Sequence, residues 1–456
     1  MIDLNDKIQR YGSYKDSGIQ WLGEIPEHWG IESFKNILTE RNKKNAPIKT
    51  KEILSLSIDK GVTLYAEKTT NLDRFKDDFS KYKLAHKGDL VFNSMNMIVG
   101  AVGVSDYFGC VSPIYYTYHG ESEDSCNTKF YEYLFRSKIV QGVLYSLGKG
   151  LMAIDRGDGK YNTLRLKVSR DDLRSMKLPV PPTPELTKIV EFLNDKNTKI
   201  DDAITIKEQQ INLLKERKQI LIHKAVTQGL NPNVTLKDSG VEWIGKIPKH
   251  WEVKRFRYVF NLGKGLTITK ENLRDEGVYC VNYGEIHSKF GFELDTKIHK
   301  LKHVDKEYLE SDPRALIKNG DFVFADTSED IEGSGNFTYL KSEDEIFAGY
   351  HTVVAKPKFE IVSRFFAYIF ESESFRNQIR TKVKGVKVFS ITQSLLKQPT
   401  VWFPSKKEQK EIINYLDSGA KKIETAINLK LQEIEKLKEY KSSLINSVVT
   451  GKVKVC

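Results

Sequence analysis

The sequence predicts an α+β protein: two mixed α/β blocks joined by two long helices that form an intramolecular antiparallel coiled coil with pseudo-twofold symmetry. Three observations predict it. The stretch "YKDSGIQWLGEIPEHW", Tyr14 to Trp29, returns as "LKDSGVEWIGKIPKHW", Leu236 to Trp251, with most positions unchanged. A second pair, Lys188 to Thr227 and Glu411 to Thr450, aligns without a gap at an offset of 223. Both members of that pair carry an apolar seam at heptad spacing. A repeat of this kind fixes the architecture before any single element is considered.

In chain order the text reads motif, variable block, long helix, and then the same again. The boundaries fall at 1–183 for the first block, 184–229 for the first helical spacer, 230–405 for the second block and 406–456 for the second spacer. Gly229 and Pro232 in "TQGLNPNVT" supply a helix stop and a loop between the halves.

The blocks, about 30–180 and 252–402, alternate strand-like and helix-like runs. Strands are expected at "EILSLSI", "DLVFN", "IVGAVGVS" and "IYYTYH", and in the second block at "GVYCVNY", "DFVFA" and "HTVVAKP". One helix is expected over "TKFYEYLFRSKIVQGVLYSL" and a counterpart over "SRFFAYIFESESFRNQIRT". The landmarks "GDLVF" and "GDFVF", and "FYEYLF" and "FFAYIF", imply one fold bearing two diverged surfaces.

The helical segments run from the proline-rich lead-ins "PVPPTPE" and "FPSKKE" to a closing glycine, about 66 Å each. The apolar helix-pair interface is expected at Leu193, Ile200, Ile204, Ile211, Leu214 and Leu221, and at Leu416, Ile423, Ile427, Ile434, Leu437 and Leu444. Lysine interrupts both seams at matched places, Lys207 with Lys430 and Lys218 with Lys441. A stripe this narrow, repeating every 3.5 residues, requires a helical partner. The simplest partner for each helix is the other; packing on its own block is the alternative.

Composition narrows the function. The chain has 456 residues, 29% charged and 39% hydrophobic, a net charge of +11 and a pI near 9.1, which favours a polyanionic partner. The blocks themselves are only weakly basic, so local clusters matter more. Arg376 to Lys397 holds six basic residues and no acid, around "RTKVKGVKVFS". The residues expected to contact nucleic acid are Lys43, Lys44, Asn93, Arg156, Lys160, Tyr161, Asn162 and Arg165 in the first block. In the second they are Lys264, Lys270, Tyr283, Arg380, Lys382, Lys384, Lys387, Ser390 and Gln393. These side chains reach phosphates and base edges; for any one cluster the bland alternative is a solvated face.

Catalytic motifs are missing from the text. There is no GxxxxGK[ST] loop, no Asn/Asp-Pro-Pro-aromatic motif and no HExxH, so no catalytic and no metal-binding residue is expected. The carboxylates of "DTSEDIE" fit no metal loop and read as an acidic surface loop. His28–Trp29 and His250–Trp251 read as packed structural pairs, with Trp21 and Trp243 structural too. The motif's expected task is to pack the start of each half against the end of a long helix. Cys110, Cys126, Cys280 and Cys456 have neither CxxC nor metal spacing, which fits a reduced cytoplasm. "MIDLNDKIQRYGS" lacks a signal-peptide core, and no apolar run reaches membrane-spanning length.

The doubled motif closely resembles the opening of each half in type I restriction–modification specificity subunits. "LPVPPTPEL", the long helices, "AVTQGL" and "VVTGK" are similar to that family's helical regions, and the resemblance covers essentially the whole chain. "GDLVFNSMNMIVGAVGVSDYFGCVSPIYY" and "GDFVFADTSEDIEGSGN…FAGYHTVV" look like two classes of its target recognition domain. "VWFPSKKE" departs from the pattern by lacking the double proline.

The resemblance implies two target recognition domains, each reading one half of a split asymmetric site on double-stranded DNA. It implies helices that set the distance between half-sites and dock two modification subunits and the restriction subunits. It also implies a non-catalytic chain that binds no cofactor itself. S-adenosylmethionine, ATP and Mg would then belong to the partners. The rival readings are a free-standing DNA methyltransferase or endonuclease, and a purely structural coiled-coil adaptor.

Overall fold

The computed structural model describes residues 9–68, 78–120, 125–151, 165–385 and 387–455. Four helices carry the argument: α1 (Ser125–Arg136), α2 (Thr183–Gln228), α3 (Ser363–Glu371) and α4 (Lys406–Val449). The long ones, α2 and α4, have 46 and 44 residues. The chain divides into two compact units, Met1–Glu208 with Leu431–Cys456, and Gln209–Lys430. Each unit therefore contains one block, part of α2 and part of α4.

In the first unit the repeated motif is an antiparallel hairpin, Tyr14–Asp16 against Glu24–Pro26. The block opens and closes on one strand pair, Gly30–Ser33 with Lys177–Val180, so its ends meet where α2 begins. Between them lies a four-stranded antiparallel sheet in the order Thr39–Glu40, Tyr115–His119, Leu90–Asn93, Val102–Val104. Alpha-helix α1 covers it, and Phe34, Phe92, Tyr118 and Phe135 interlock edge-on between the layers. Leu186, Ile189, Val190 and Leu193 of α2 and Leu444, Val448 and Val449 of α4 complete this core.

The second unit repeats the plan. Its hairpin is Leu236–Asp238 with Lys246–Pro248, and its block is closed by Glu252–Arg255 with Thr400–Phe403. The main sheet is larger, in the order Phe260–Lys264, Thr352–Pro357, Phe322–Ala325, Phe337–Leu340, Phe292–Leu294, with only the last pair parallel. A second four-stranded sheet centres on the parallel pair Val278–Val281 and Ile346–Ala348. Ile412, Ile413 and Leu416 of α4 and Ile222, Ala225 and Val226 of α2 belong to the main core.

Two expectations are corrected. The single helix expected in each block is two, ending at Arg136 and Glu371 and resuming at Lys138 and Glu373. Ser137 and Ser372 make the break with nearly equal dihedrals, φ −70 and ψ 143 against φ −71 and ψ 143. Each hydroxyl donates back to a carbonyl three residues earlier, Leu134 or Ile369, at 2.6 Å. A side chain that competes this well with the helix ladder ends it. In "IVGAVGVS" only Val102–Val104 is strand; Met97–Val99 forms a 3-10 turn closed by Gly100.

Every residue expected at the helix-pair interface is buried or half-buried, while Ile206, Leu213, Ile220 and Leu429 beside that seam are exposed. In the first unit Lys207 of α2 lies 2.5 Å from Glu433 of α4, and Lys441 of α4 lies 2.7 Å from Asp201 of α2. In the second unit Lys218 of α2 lies 2.8 Å from Glu424 of α4, and a side chain on Gly419 of α4 would crowd Leu221 of α2. Lys207, Lys218 and Lys441, which interrupt the seams, thus each meet an acid on the other helix. Among the described residues no helix is long and apolar enough to cross a membrane.

Candidate nucleic-acid interface

The repeated motif turns out to clasp a glutamate that the sequence did not mark. In the first unit the indole nitrogen of Trp29 donates to Glu185, in the first turn of α2, at 3.1 Å, and His28 Nε2 lies 2.7 Å from the same carboxylate. In the second unit Trp251 donates to Glu408, in the first turn of α4, at 3.1 Å, with His250 Nε2 at 2.8 Å. Glu185 and Glu408 stand 223 apart, so their repetition was a signal available in the sequence. A carboxylate in a helix's first turn also complements the helix dipole.

The same indoles rest on the far end of the other long helix. Gly451 follows α4 at φ +71, and a Cβ there would collide with Pro26 and press on Trp29. Gly229 follows α2 at φ +72, and a Cβ there would meet Glu408 and Trp251. Only glycine suits both the left-handed turn and the close approach. Trp29 and Trp251 are buried, as structural residues must be, but Trp243 is 41% exposed and Trp21 only half-buried.

The residues expected to meet DNA separate into groups. In the first unit Lys43 and Lys44 are exposed and lie beside Lys83, through the Lys44–Lys83 bridge and the Leu84 amide bond to the Lys43 carbonyl. The Lys83 ammonium itself is buried, donating to the Tyr115 carbonyl at 2.7 Å, and burial pulls its pKa down. Asn93 is also buried, its side-chain oxygen accepting from the Met95 amide, so it serves a turn. Arg156, Lys160, Tyr161 and Asn162 lie outside the described residues. Arg165 is placed by its backbone alone, in a strand paired with Lys149–Leu151.

In the second unit the structure brings several choices to one place. Thr327–Ser328 of the acidic loop pairs with Phe389–Ser390 at the end of the basic stretch. Lys382, Lys384, Lys387 and Ser390 are exposed there, Lys382 within 3.2 Å of Gln398. Arg380 is committed elsewhere: it bonds Glu373 and the Glu332 carbonyl, both at 2.7 Å, pinning the acidic loop to the helix Glu373–Arg380. Gln393 is half-buried. Lys264 and Lys270 are exposed on a different strand end and turn.

Tyr283 sits in a ring cluster that sequence reasoning missed, 5.2 Å from His351 and 5.7 Å from Tyr350. His351 Nδ1 is 3.2 Å from Asp326, whose carbonyl accepts from Ile391, just past Ser390. His351 holds φ at +55, a conformation costly for a side-chain-bearing residue and most often kept where a site needs it. A cavity of about 550 Å3 opens beside the cluster, lined by Tyr283, His287, Thr327, Ser328 and Asn336 and by the carboxylates Glu329, Asp330 and Glu332. The exposed Lys382, Lys384 and Lys387 and the ring faces suit phosphates and bases, whereas the charged residues lining the cavity itself are acidic. The adjacent "GYH" of Gly349 to His351 was the available signal.

Comparison with known proteins finds one family. Residues 248–436 match the family described as type I restriction modification DNA specificity domain. The chain is thus similar to the type I restriction–modification specificity subunits. It is 25% identical to the putative type I restriction enzyme MjaX specificity subunit of Methanocaldococcus jannaschii, over 95% of this chain and 96% of that one. It is 26% identical to the MjaVIII specificity subunit of the same organism, over 63% of this chain and 64% of the relative's length. The fold is that of a solved chain from a study of complex assembly and conformational transition in a type I R-M system. The TM-score is 0.67 at 13% identity, over 93% of this chain and 98% of that one. The HsdS subunit from Thermoanaerobacter tengcongensis matches at TM-score 0.50 and 13% identity, over 94% of this chain and 98% of that one.

Proposed function

We propose that this specificity subunit reads a bipartite, asymmetric site on double-stranded DNA, one half per block, and carries out no catalysis itself. The observation that carries the proposal is the doubled clasp. Each block is mounted by the same Trp–His–Glu contact on a long helix, while the surfaces it presents differ.

The mounting itself is an intramolecular antiparallel coiled coil with pseudo-twofold symmetry. Its support is the exchange of ion pairs: Lys218 with Glu424 becomes Lys441 with Asp201 when each residue is replaced by its repeat mate. As numbers rise along α2 their partners fall along α4, the pattern of an antiparallel register. Polar residues at seam positions are a known means of fixing register.

The spacer would hold the half-sites at a set distance and dock two modification subunits and the restriction subunits. Those subunits would supply S-adenosylmethionine, ATP, Mg and the chemistry. The assembly would work in the cytoplasm, a reading that the sequence's lack of CxxC and metal-spaced cysteines supports. In the second block the exposed lysines 382, 384 and 387 would hold phosphates beside the ring cluster.

The test starts from the bipartite motif methylated in the host genome. Binding by the complex with modification subunits is measured across a salt series, on that motif and with either half scrambled. Scrambling either half should abolish the preference over random duplex. Alanine at Lys382, Lys384 and Lys387 should lower the salt slope by about one per lost phosphate contact. Indifference to scrambling, or an unchanged slope, would refute the respective part.

A further inference from the structure

We propose that Arg364 is a positioning residue: with Tyr368 and Asp417 it fixes the angle at which the second reading head is held on α4, and Lys129, Tyr133 and Asn194 form its weaker counterpart in the first unit. The proposal rests on the DNA-reading function above.

The argument begins where apolar packing stops. In the second unit α4 packs against its head through Ile412, Ile413 and Leu416, and in the first unit α2 does so through Ile189, Val190 and Leu193. The next residue in each helix is polar, Asp417 or Asn194, and each accepts a hydrogen bond from a tyrosine of the covering helix. Tyr368 of α3 donates to Asp417 at 2.5 Å, and Tyr133 of α1 donates to Asn194 at 2.6 Å. These pairs are repeat mates, in "FFAYIF" and "FYEYLF" and at the 223 offset. The same joint was therefore kept twice while the surrounding surfaces diverged.

The cation at the joint differs. Arg364 Nε lies 2.9 Å from both carboxylate oxygens of Asp417, and Nη1 bonds the Tyr339 hydroxyl at 3.0 Å and Glu293. Its guanidinium also lies over the Phe292 and Tyr368 rings, at 5.4 and 5.9 Å. Tyr339 and Glu293 belong to neighbouring strands of the main sheet. One planar group thus ties two strands, the covering helix and α4, and a guanidinium fork constrains orientation as well as distance. Lys129, at the matching place, lies 5.8 Å from the Tyr133 ring and pairs within its own helix, 2.7 Å from Glu132. The first joint reaches the long helix through neutral amide groups, Tyr133 donating to Asn194, with Asn197 beside it, and among the described residues no guanidinium bridges the two helices there.

A cavity of about 690 Å3 lies beyond the second joint, lined by Arg364, Tyr368, Asp417, Lys421 and Glu424 among others. The polar joint borders that open space, so it sets the angle on that side. The angle matters because one base pair added to the gap moves a half-site by about 3.4 Å and turns it by about 35°. A rigid joint makes the second head intolerant of that change.

The test uses the complex with modification subunits and duplexes whose gap is native or altered by one base pair. R364K/D417N gives the second joint the residue set of the first and so should fold. Its preference for the native gap should fall about fivefold or more. Base preference within the second half-site on native-gap DNA should stay, as should the urea midpoint to within a small shift. K129R/N194D in the first unit should sharpen gap preference. Tyr368→Phe, which removes one hydroxyl, is read in the same way and guards against a double variant that fails to fold.

Gap preference within twofold of wild type in both second-unit variants would overturn the joint. So would an equal loss of base preference and gap preference, which is the mark of a generally loosened head. A wild-type complex with no half-site preference would instead overturn the DNA reading itself.

Discussion

Glu185 shows how a buried contact gives a repeated motif its purpose. Burial pushes its carboxyl up, but the Tyr11 hydroxyl, His28 and the Trp29 indole outweigh burial and hold it below its ordinary 4.5. A group with a lowered folded-state pKa stabilises fully above its unfolded value and loses that contribution as pH falls through the folded one. Glu185→Gln should therefore cost about 1–3 kcal/mol at pH 7. The gap between variant and wild type in urea unfolding should close progressively below pH 4.5. A difference that stays constant through acid pH would show that shape, not charge, holds the clasp. The tryptophans and histidines of the clasp were legible as a conserved pair within one chain. Their acceptor was not, because it lies 156 residues from Trp29 and only folding brings it near. Asn93 and Arg380 make the same point: composition cannot reveal that a polar side chain already has partners inside the fold.

Among the elements, the long helices were the most legible. Their seams repeat for about eight turns, so local periodicity alone specifies them. The lysines in those seams looked like interruptions; the structure gives Lys207, Lys218 and Lys441 acidic partners on the opposing helix. Reversing Lys218 to Glu should lower stability by about 0.5–1 kcal/mol, since the pair is partly exposed. Adding Glu424→Lys should recover most of that loss, which a double-mutant cycle on thermal unfolding measures. Independent, additive losses would mean that the pair does not couple the helices. The block helices were less legible. A serine inside an amphipathic run is compatible with helix, and only its bond back to the Leu134 or Ile369 carbonyl decides for a break.

For the whole molecule, the two compact units imply separable reading. Each has its own sheet, its own core and its own closing strand pair. Exchanging residues 30–180 for the corresponding block of another specificity subunit should alter one half of the methylated motif. The other half and the gap should be unchanged. Genome-wide methylation mapping of the exchanged strain checks this, and a change in both halves would contradict it.

The sequence by itself determined the duplication, the helical spacers, their apolar seams and the family resemblance. All of these are written in spacing and identity along the chain, which survive without coordinates. Tertiary structure decided which polar groups are spent and which remain free: the glutamates under the tryptophans, the Arg364 joint, the ring cluster around His351. Those depend on contacts between residues far apart in the chain, where the cost of burying a polar group is met by a partner that no local pattern names.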